Sequence, residues 1–210
     1  MSAKKKNKVV RAWVDRQIND HYVQMSHKDG YRSRAAYKLL EIDKNIGMFQ
    51  KAHCVVDLGC APGSWLQVVK NKIGVDGLIV GVDLLEMEPI AGVTTIMGDF
   101  TESDTLSRLV SALDGRVVDL VLSDMSTNLS GIKMVDQARG AHLVELALEF
   151  AKQHLKVGGV SVIKIFHGGE FARLVKLAKT VFTGVDVYKP DASRGESCEV
   201  YLICKNLFRI

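Results

Sequence analysis

An open α/β fold built on a mostly parallel sheet is what this sequence predicts, and three observations predict it. Apolar runs of strand length alternate with amphipathic helical segments through most of the 210 residues. The run Cys54 to Leu58 passes through a glycine-rich turn, Gly59-Cys60-Ala61-Pro62-Gly63-Ser64, directly into a helical pattern. Asp83, Asp99 and Asp124 each stand at or just past the end of a later apolar run, which packing alone does not explain. Hydrophobic residues make up 47% of the chain and charged ones 25%, enough for one domain with a sizeable core.

The elements follow in chain order. Val10, Trp13, Val14, Ile18 and Tyr22 fall at helical spacing, so a helix is expected from Val9 to Tyr22. Lys28 to Arg34 reads as a polar loop, and Ala35 to Ile42 as a helix ending near Gly47. After the strand Cys54–Leu58 and the helix beyond Gly63, Gly77 to Asp83 and Val93 to Met97 read as the second and third strands. Thr101 to Leu113 is a short helix with Thr101 as its expected N-cap, and Val117 to Met125 is the fourth strand. A polar loop from Ser126 to Val135 leads to a helix capped by Asp136, with the stripe Leu143, Leu146, Ala147, Phe150 and Ala151. Lys156 to Gly159 closes that helix, and Val160 to Phe166 forms the fifth strand, with Lys164 inside its apolar run.

A helix from Glu170 to Thr180 and a strand from Gly184 to Tyr188 come next. The connection Lys189 to Ser197 is nine residues with no helix, too short for a parallel crossover, so Cys198 to Cys204 should run antiparallel. An antiparallel strand starts where parallel strands end. Glu199 therefore lands near Asp83, Asp99, Asp124 and Lys164, at the edge where open α/β sheets bind ligands.

Charge is unevenly spread. Residues 1 to 51 carry a net +7 and the remainder −3, which suits an anionic polymer meeting the N-terminal segment. Arg32, Arg34 and Lys38 group with Tyr31 and Tyr37, a combination able to grip phosphates and stack on unpaired bases; the alternative is a surface helix whose tyrosines fill the core. The four cysteines show no C-x-x-C spacing and the six histidines no metal-ligand spacing, so free thiols and no metal are expected. No apolar run reaches the length of a membrane span, and a soluble, cytoplasmic protein is expected.

The glycine turn lacks the third glycine of a dinucleotide fingerprint and the Gly-Lys-Ser/Thr of a Walker loop. Taken with the acids Asp83 and Asp99, the antiparallel last strand and the set Lys38, Asp124, Lys164, Glu199, it resembles the RrmJ/FtsJ family of S-adenosylmethionine-dependent rRNA ribose 2′-O-methyltransferases, in its bacterial branch. The resemblance covers nearly the whole chain. It implies a Rossmann-like class I methyltransferase fold of seven strands with helices on both faces. Residues 1–50 would form a basic helical extension that contacts RNA, and residues 51–210 the methyltransferase domain. It assigns Lys38, Asp124, Lys164 and Glu199 to catalysis, and Gly63, Trp65, Asp83, Asp99 and Asp124 to S-adenosylmethionine. Arg32, Arg34, Arg194 and Tyr201 are the expected RNA contacts. The implied substrate is a uridine of 23S rRNA on the large ribosomal subunit, and the expected state is a monomer.

The chemistry needs a ribose hydroxyl held in line with a methyl sulfonium and relieved of its proton. Two forms are open: a neutral Lys164 takes the proton, or a charged Lys164 stabilises the developing alkoxide. Two other function classes compete, a non-catalytic RNA-binding assembly factor and a small-molecule or NAD enzyme. Intact Gly63, Asp83 and Asp99 oppose the first, and the basic front and missing glycine oppose the second.

Overall fold

The computed structural model of the chain describes residues 20–127 and 130–208. Seven strands form one sheet: β1 (Cys54–Leu58), β2 (Leu78–Asp83), β3 (Thr94–Met97), β4 (Val118–Ser123), β5 (Leu155–Phe166), β6 (Phe182–Tyr188) and β7 (Glu199–Leu207). Their order is β3-β2-β1-β4-β5-β7-β6. Only β7 runs against the rest, paired antiparallel with both β5 and β6, as the nine-residue connection requires. The strand order reverses between β1 and β4, and the crevice opens at the carboxyl ends there.

Helices α1 (His21–Asp29), α2 (Ala35–Ile46), α3 (Ser64–Ile73), α4 (Ser103–Ala112), α5 (Lys133–His154) and α6 (Phe171–Val181) cover the sheet. Strand alternation sends successive side chains to opposite faces and so builds two cores. Val55, Leu120, Leu122, Val162 and Tyr201 pack with Leu39, Ile42, Trp65 and Leu66 from α2 and α3. Val56, Leu58, Val121, Ile163 and Leu202 pack on the other face with Leu109, Ala147, Leu148 and Leu174 from α4, α5 and α6. β1 is buried at every position, and each fully buried aliphatic side chain there contributes about 1.5–3 kcal/mol. Ala36, Leu39, Ile42, Met48 and Phe49 share this core, so α2 and the turn after it are part of the sheet's own packing.

Several boundaries differ from the sequence expectation. The helix expected over residues 9–22 lies outside the described residues except for its end. A helix absent from that expectation, α1, begins at His21, where Asp20 caps it by accepting from the amides of Tyr22 and Val23. Gly30 closes it in the left-handed conformation. Thr101 is not a cap: α4 starts at Ser103, and the Thr101 amide donates to Asp99 Oδ1 at 2.8 Å. Asp136 is not one either. It stands in the first turn of α5 and reaches back to accept from Ser130 Oγ and from the amides of Ser130 and Gly131. β5 begins at Leu155 rather than Val160, with an irregular register to β4 that accommodates Gly158 at φ 78°. Among the described residues no helix is long and apolar enough to cross a membrane.

Candidate active site

Lys38 lies on the face of α2 turned toward the sheet, and Lys164, Phe166, Glu199 and Tyr201 alternate onto the same face of β5 and β7. Register places Lys164 opposite Tyr201 and Phe166 opposite Glu199. Asp124 follows the last residue of β4, next to β5.

Two ion pairs result. Lys164 Nζ is 3.1 Å from Asp124 Oδ1 and donates to the Asp124 carbonyl at 2.6 Å. Lys38 Nζ is 2.6 Å from Glu199 Oε1. Tyr201 joins them: its hydroxyl donates to Asp124 Oδ1 at 2.8 Å, and its ring lies 5.9 Å from Lys38 Nζ. Lys38 and Lys164 are both buried, a position lysines occupy almost only when partnered. The four residues expected to converge do converge.

Tyr201 was expected among the RNA contacts, but it is 0% exposed and packs against Trp65 with ring centroids 5.7 Å apart. It offers no face to a base and acts as a positioning residue beneath the lysines. Burial first, then the Asp124 and Glu199 carboxylates, push its phenol well above the ordinary range, so it remains a donor.

A cavity of about 240 Å³ adjoins Asp124 and is lined by Gly59, Ala61, Asp83, Asp99, Asp124, Met125 and Leu143 among others. Gly59 has φ 79°, and a Cβ there would lie 2.8 Å from the Met125 Cα, so no other residue lets the turn pass so close. Asp83 accepts from the amides of Ala61 and Leu85, both at 2.9 Å, which fixes its carboxylate while leaving acceptor capacity toward the cavity. This cradle of close-approach glycine and three edge carboxylates fits a nucleoside with a charged tail. Gly63, at φ 104°, caps α3. The Trp65 indole, by contrast, is buried and donates to the Ala35 carbonyl at 2.8 Å, so only its backbone is available to a ligand.

On the other side of Lys38 a groove of about 620 Å³ is lined by Ser26, His27, Arg32, Arg34, Arg194 and Glu199, among others. The arginines differ in use. Arg32 donates to the carbonyls of Pro62 (2.9 Å), Glu88 (2.7 Å) and Pro89 (3.1 Å), clamping the chain after β2 onto the glycine turn. Arg34 pairs with Asp20 and donates to the Ala192 carbonyl, and Arg194 Nε lies 3.5 Å from the same Asp20 carboxylate. Tyr37 is a core residue: it is buried, stands edge-on to Tyr31 and donates to Asp29 at 2.7 Å.

Sequence reasoning missed Asp57. It lies in the middle of β1, completely buried, and neither carboxylate oxygen has a hydrogen-bond partner. Burial, then Asp124, then Asp83, hold its pKa well above the ordinary carboxylate range, so its proton is retained. An acid interrupting an apolar run was the available signal. Burial, with the Asp83 carboxylate nearby, raises the Cys60 thiol.

The profile described as FtsJ-like methyltransferase matches residues 31–207. The chain is 51% identical over 199 residues to the ribosomal RNA large subunit methyltransferase E of Azoarcus sp. (strain BH72), covering 95% of this chain and 97% of that protein. It is 46% identical over 201 residues to the protein of that name from Neisseria meningitidis serogroup C, covering 96% and 98%. Among solved structures, one from Plasmodium falciparum described as a ribosomal RNA methyltransferase superposes with TM-score 0.74 at 31% identity, covering 84% of this chain and 98% of that one. The mycinamycin methyltransferase MycE superposes with TM-score 0.56 at 17% identity, covering 89% and 49%, a likeness of fold alone.

Proposed function

The chain belongs to the FtsJ-like methyltransferase family, and from that premise we propose that it methylates the ribose 2′-hydroxyl of a uridine in 23S rRNA, with S-adenosylmethionine as donor. The observation that carries this reading is the convergence of two lysine–carboxylate pairs on one tyrosine, with Asp124 shared between the pairs and the nucleoside-shaped cavity.

When bound, S-adenosylmethionine supplies an electrophilic methyl group on a positively charged sulfur. Asp83 and Asp99 would accept from its ribose and adenine, and Asp124 would accept from its amino group. Lys164 acts on the substrate. Its nitrogen donates to the Asp124 carbonyl and is ion-paired with the Asp124 carboxylate, which orients the amine and leaves a tetrahedral position for the ribose hydroxyl. An uncharged amine presents a lone pair there and takes the proton; an ammonium presents an N–H and stabilises the alkoxide. Lys38, held by Glu199, adds positive charge on the opposite side of the hydroxyl. Arg34 and Arg194 line the groove in which the RNA backbone runs.

Labelled methyl transfer to free 23S rRNA, tRNA and large ribosomal subunits, followed by mapping of alkali-resistant linkages, tests the reading. One resistant linkage 3′ of a uridine in 23S rRNA is expected. Transfer to tRNA alone, or to a base, would overturn it. A pH profile of single-turnover transfer separates the two roles of Lys164: a rising limb whose midpoint is unchanged in Lys164→Arg excludes the general base.

A further inference from the structure

The proposed function leaves a cavity beside the catalytic lysines unused. At the carboxyl end of β5 lies a space of about 400 Å³ lined by Gln137, Ala141, Val144, Ile165, Phe166 and Leu174, among others. We infer that this cavity is a nucleobase site, which takes the base of the very nucleotide whose ribose is methylated; the inference rests on the function proposed above and extends it to how the substrate is held.

Continuity with the catalytic centre is the first argument. Phe166 is the partition between the two: its ring lies 5.9 Å from Lys164 Nζ, its backbone pairs with Glu199, and it is 41% exposed at the cavity mouth. A ribose presenting its 2′-hydroxyl to Lys164 carries its base on the adjacent carbon. That base must lie within reach of the Phe166 ring, and an aromatic face at this point is a stacking platform.

Chemical fit is the second. The three spaces around Lys164 differ in character. The groove containing Arg34 and Arg194 is cationic and polar, suited to phosphates. The space at Asp83, Asp99 and Asp124 carries three carboxylates. The Phe166 cavity sets the apolar side chains of Ala141, Val144, Ile165 and Leu174 beside the charged ones of Lys133, Asp136 and Glu170, and its volume lies in the range of small-molecule sites. Enzymes that act on one nucleotide within a stack commonly lift its base into such a slot, at a cost of a few kcal/mol. Gln137 supplies the polar edge. Its amide carries a donor and an acceptor, matching the imide edge of a pyrimidine. It is set against Gly168, where an added Cβ would stand 2.7 Å from the Gln137 Nε2.

Backbone-amide NMR of the protein saturated with S-adenosylhomocysteine tests this, with uridine 5′-monophosphate and ribose 5-phosphate titrated as paired probes. The expected result is a saturable shift at Gln137, Gly140 and Gly168 with the nucleotide and none with the base-free sugar phosphate. Phe166→Ala and Gln137→Ala should each weaken the nucleotide response at least fivefold while calorimetric affinity for S-adenosylhomocysteine is retained. Nucleotide shifts confined to Arg34 and Arg194, no shift at all, or equal shifts with both probes would overturn the base site. Wild-type transfer to ribosomal subunits separates the two levels: if it proceeds while the nucleotide maps elsewhere, only this inference fails, and if no RNA is methylated, the underlying reading fails.

Discussion

Lys164 and Tyr201 stand directly opposite each other across the β5–β7 pair, and both reach the same carboxylate oxygen of Asp124, the amine at 3.1 Å and the phenol at 2.8 Å. Asp124 is therefore held from two neighbouring strands while its own backbone carbonyl accepts a further bond from the lysine. Such a carboxylate is oriented by the protein's own side chains before any ligand arrives. This is the preorganisation that electrostatic catalysis requires.

Removing the amine should abolish turnover without emptying the cofactor cavity. Lys164→Ala is expected to lower single-turnover methyl transfer by about 10²–10⁴-fold, the usual contribution of a positioned proton-transfer group. Calorimetric affinity for S-adenosylhomocysteine should stay within about threefold, since Lys164 does not line that cavity. A variant that methylates normally would remove Lys164 from the mechanism.

Tyr201 separates support from packing. Tyr201→Phe deletes only the bond to Asp124 and should cost about 1.5–3 kcal/mol by urea denaturation, as for a hydrogen bond to a charged group. Its transfer rate should fall while RNA affinity is retained. Tyr201→Ala also empties a fully buried site and should cost about 3–5 kcal/mol. Loss of RNA affinity in the Phe variant would return Tyr201 to the RNA interface.

Asp57 predicts a pH dependence of stability. Its folded pKa is raised by burial and by Asp124 and Asp83, while unfolded aspartate ionises near about 3.9. Above that value the folded chain holds a proton that the unfolded chain has released, so this residue's contribution is full below pH ~4 and is lost as pH rises toward the folded pKa. Asp57→Asn cannot ionise. Urea denaturation between pH 5 and 7 should show its stability relative to wild type improving with pH, by up to about 1.4 kcal/mol per pH unit. A pH-independent difference would show that Asp57 is ionised in the fold.

Arg32 and Arg194 should part company despite lining one groove. Arg32→Ala releases the clamp on Pro62, Glu88 and Pro89 and should weaken S-adenosylhomocysteine binding about tenfold, or ~1.4 kcal/mol. Arg194→Ala should leave that affinity unchanged and instead flatten the salt dependence of RNA binding by about one phosphate contact. The opposite assignment of effects would make Arg32 the RNA contact.

Much of this architecture was legible in the residues because the relevant signals were local. β1 and β2 are continuous apolar runs with definite ends, and the length of the link after Tyr188 dictated the direction of β7. The parts that escaped depend on tertiary context. α1 has little apolar stripe and is announced only by its cap at Asp20 and its stop at Gly30. The Gly158-Gly159 pair disguised the first turn of β5 as a loop. Charge and aromatic type suggested RNA contacts at Arg32, Tyr37 and Tyr201. The partners that divert them are carbonyls, carboxylates and a tryptophan brought in from other elements. Lys38 and Arg34 were legible as groove residues by charge alone, although both are largely buried and paired, one with Glu199 and the other with Asp20.

The placement of β7 between β5 and β6 has a kinetic corollary. During synthesis the donor-binding half, from Gly59 to Asp124, emerges complete well before Glu199 and Tyr201 exist. The last strand must then slot into the gap beside β5, a pairing whose partners lie far apart along the chain and which is correspondingly slow to form. Until that strand has paired, the chain lacks both the partner of Lys38 and the brace of Asp124, so the paired lysine centre is completed only when the last strand docks.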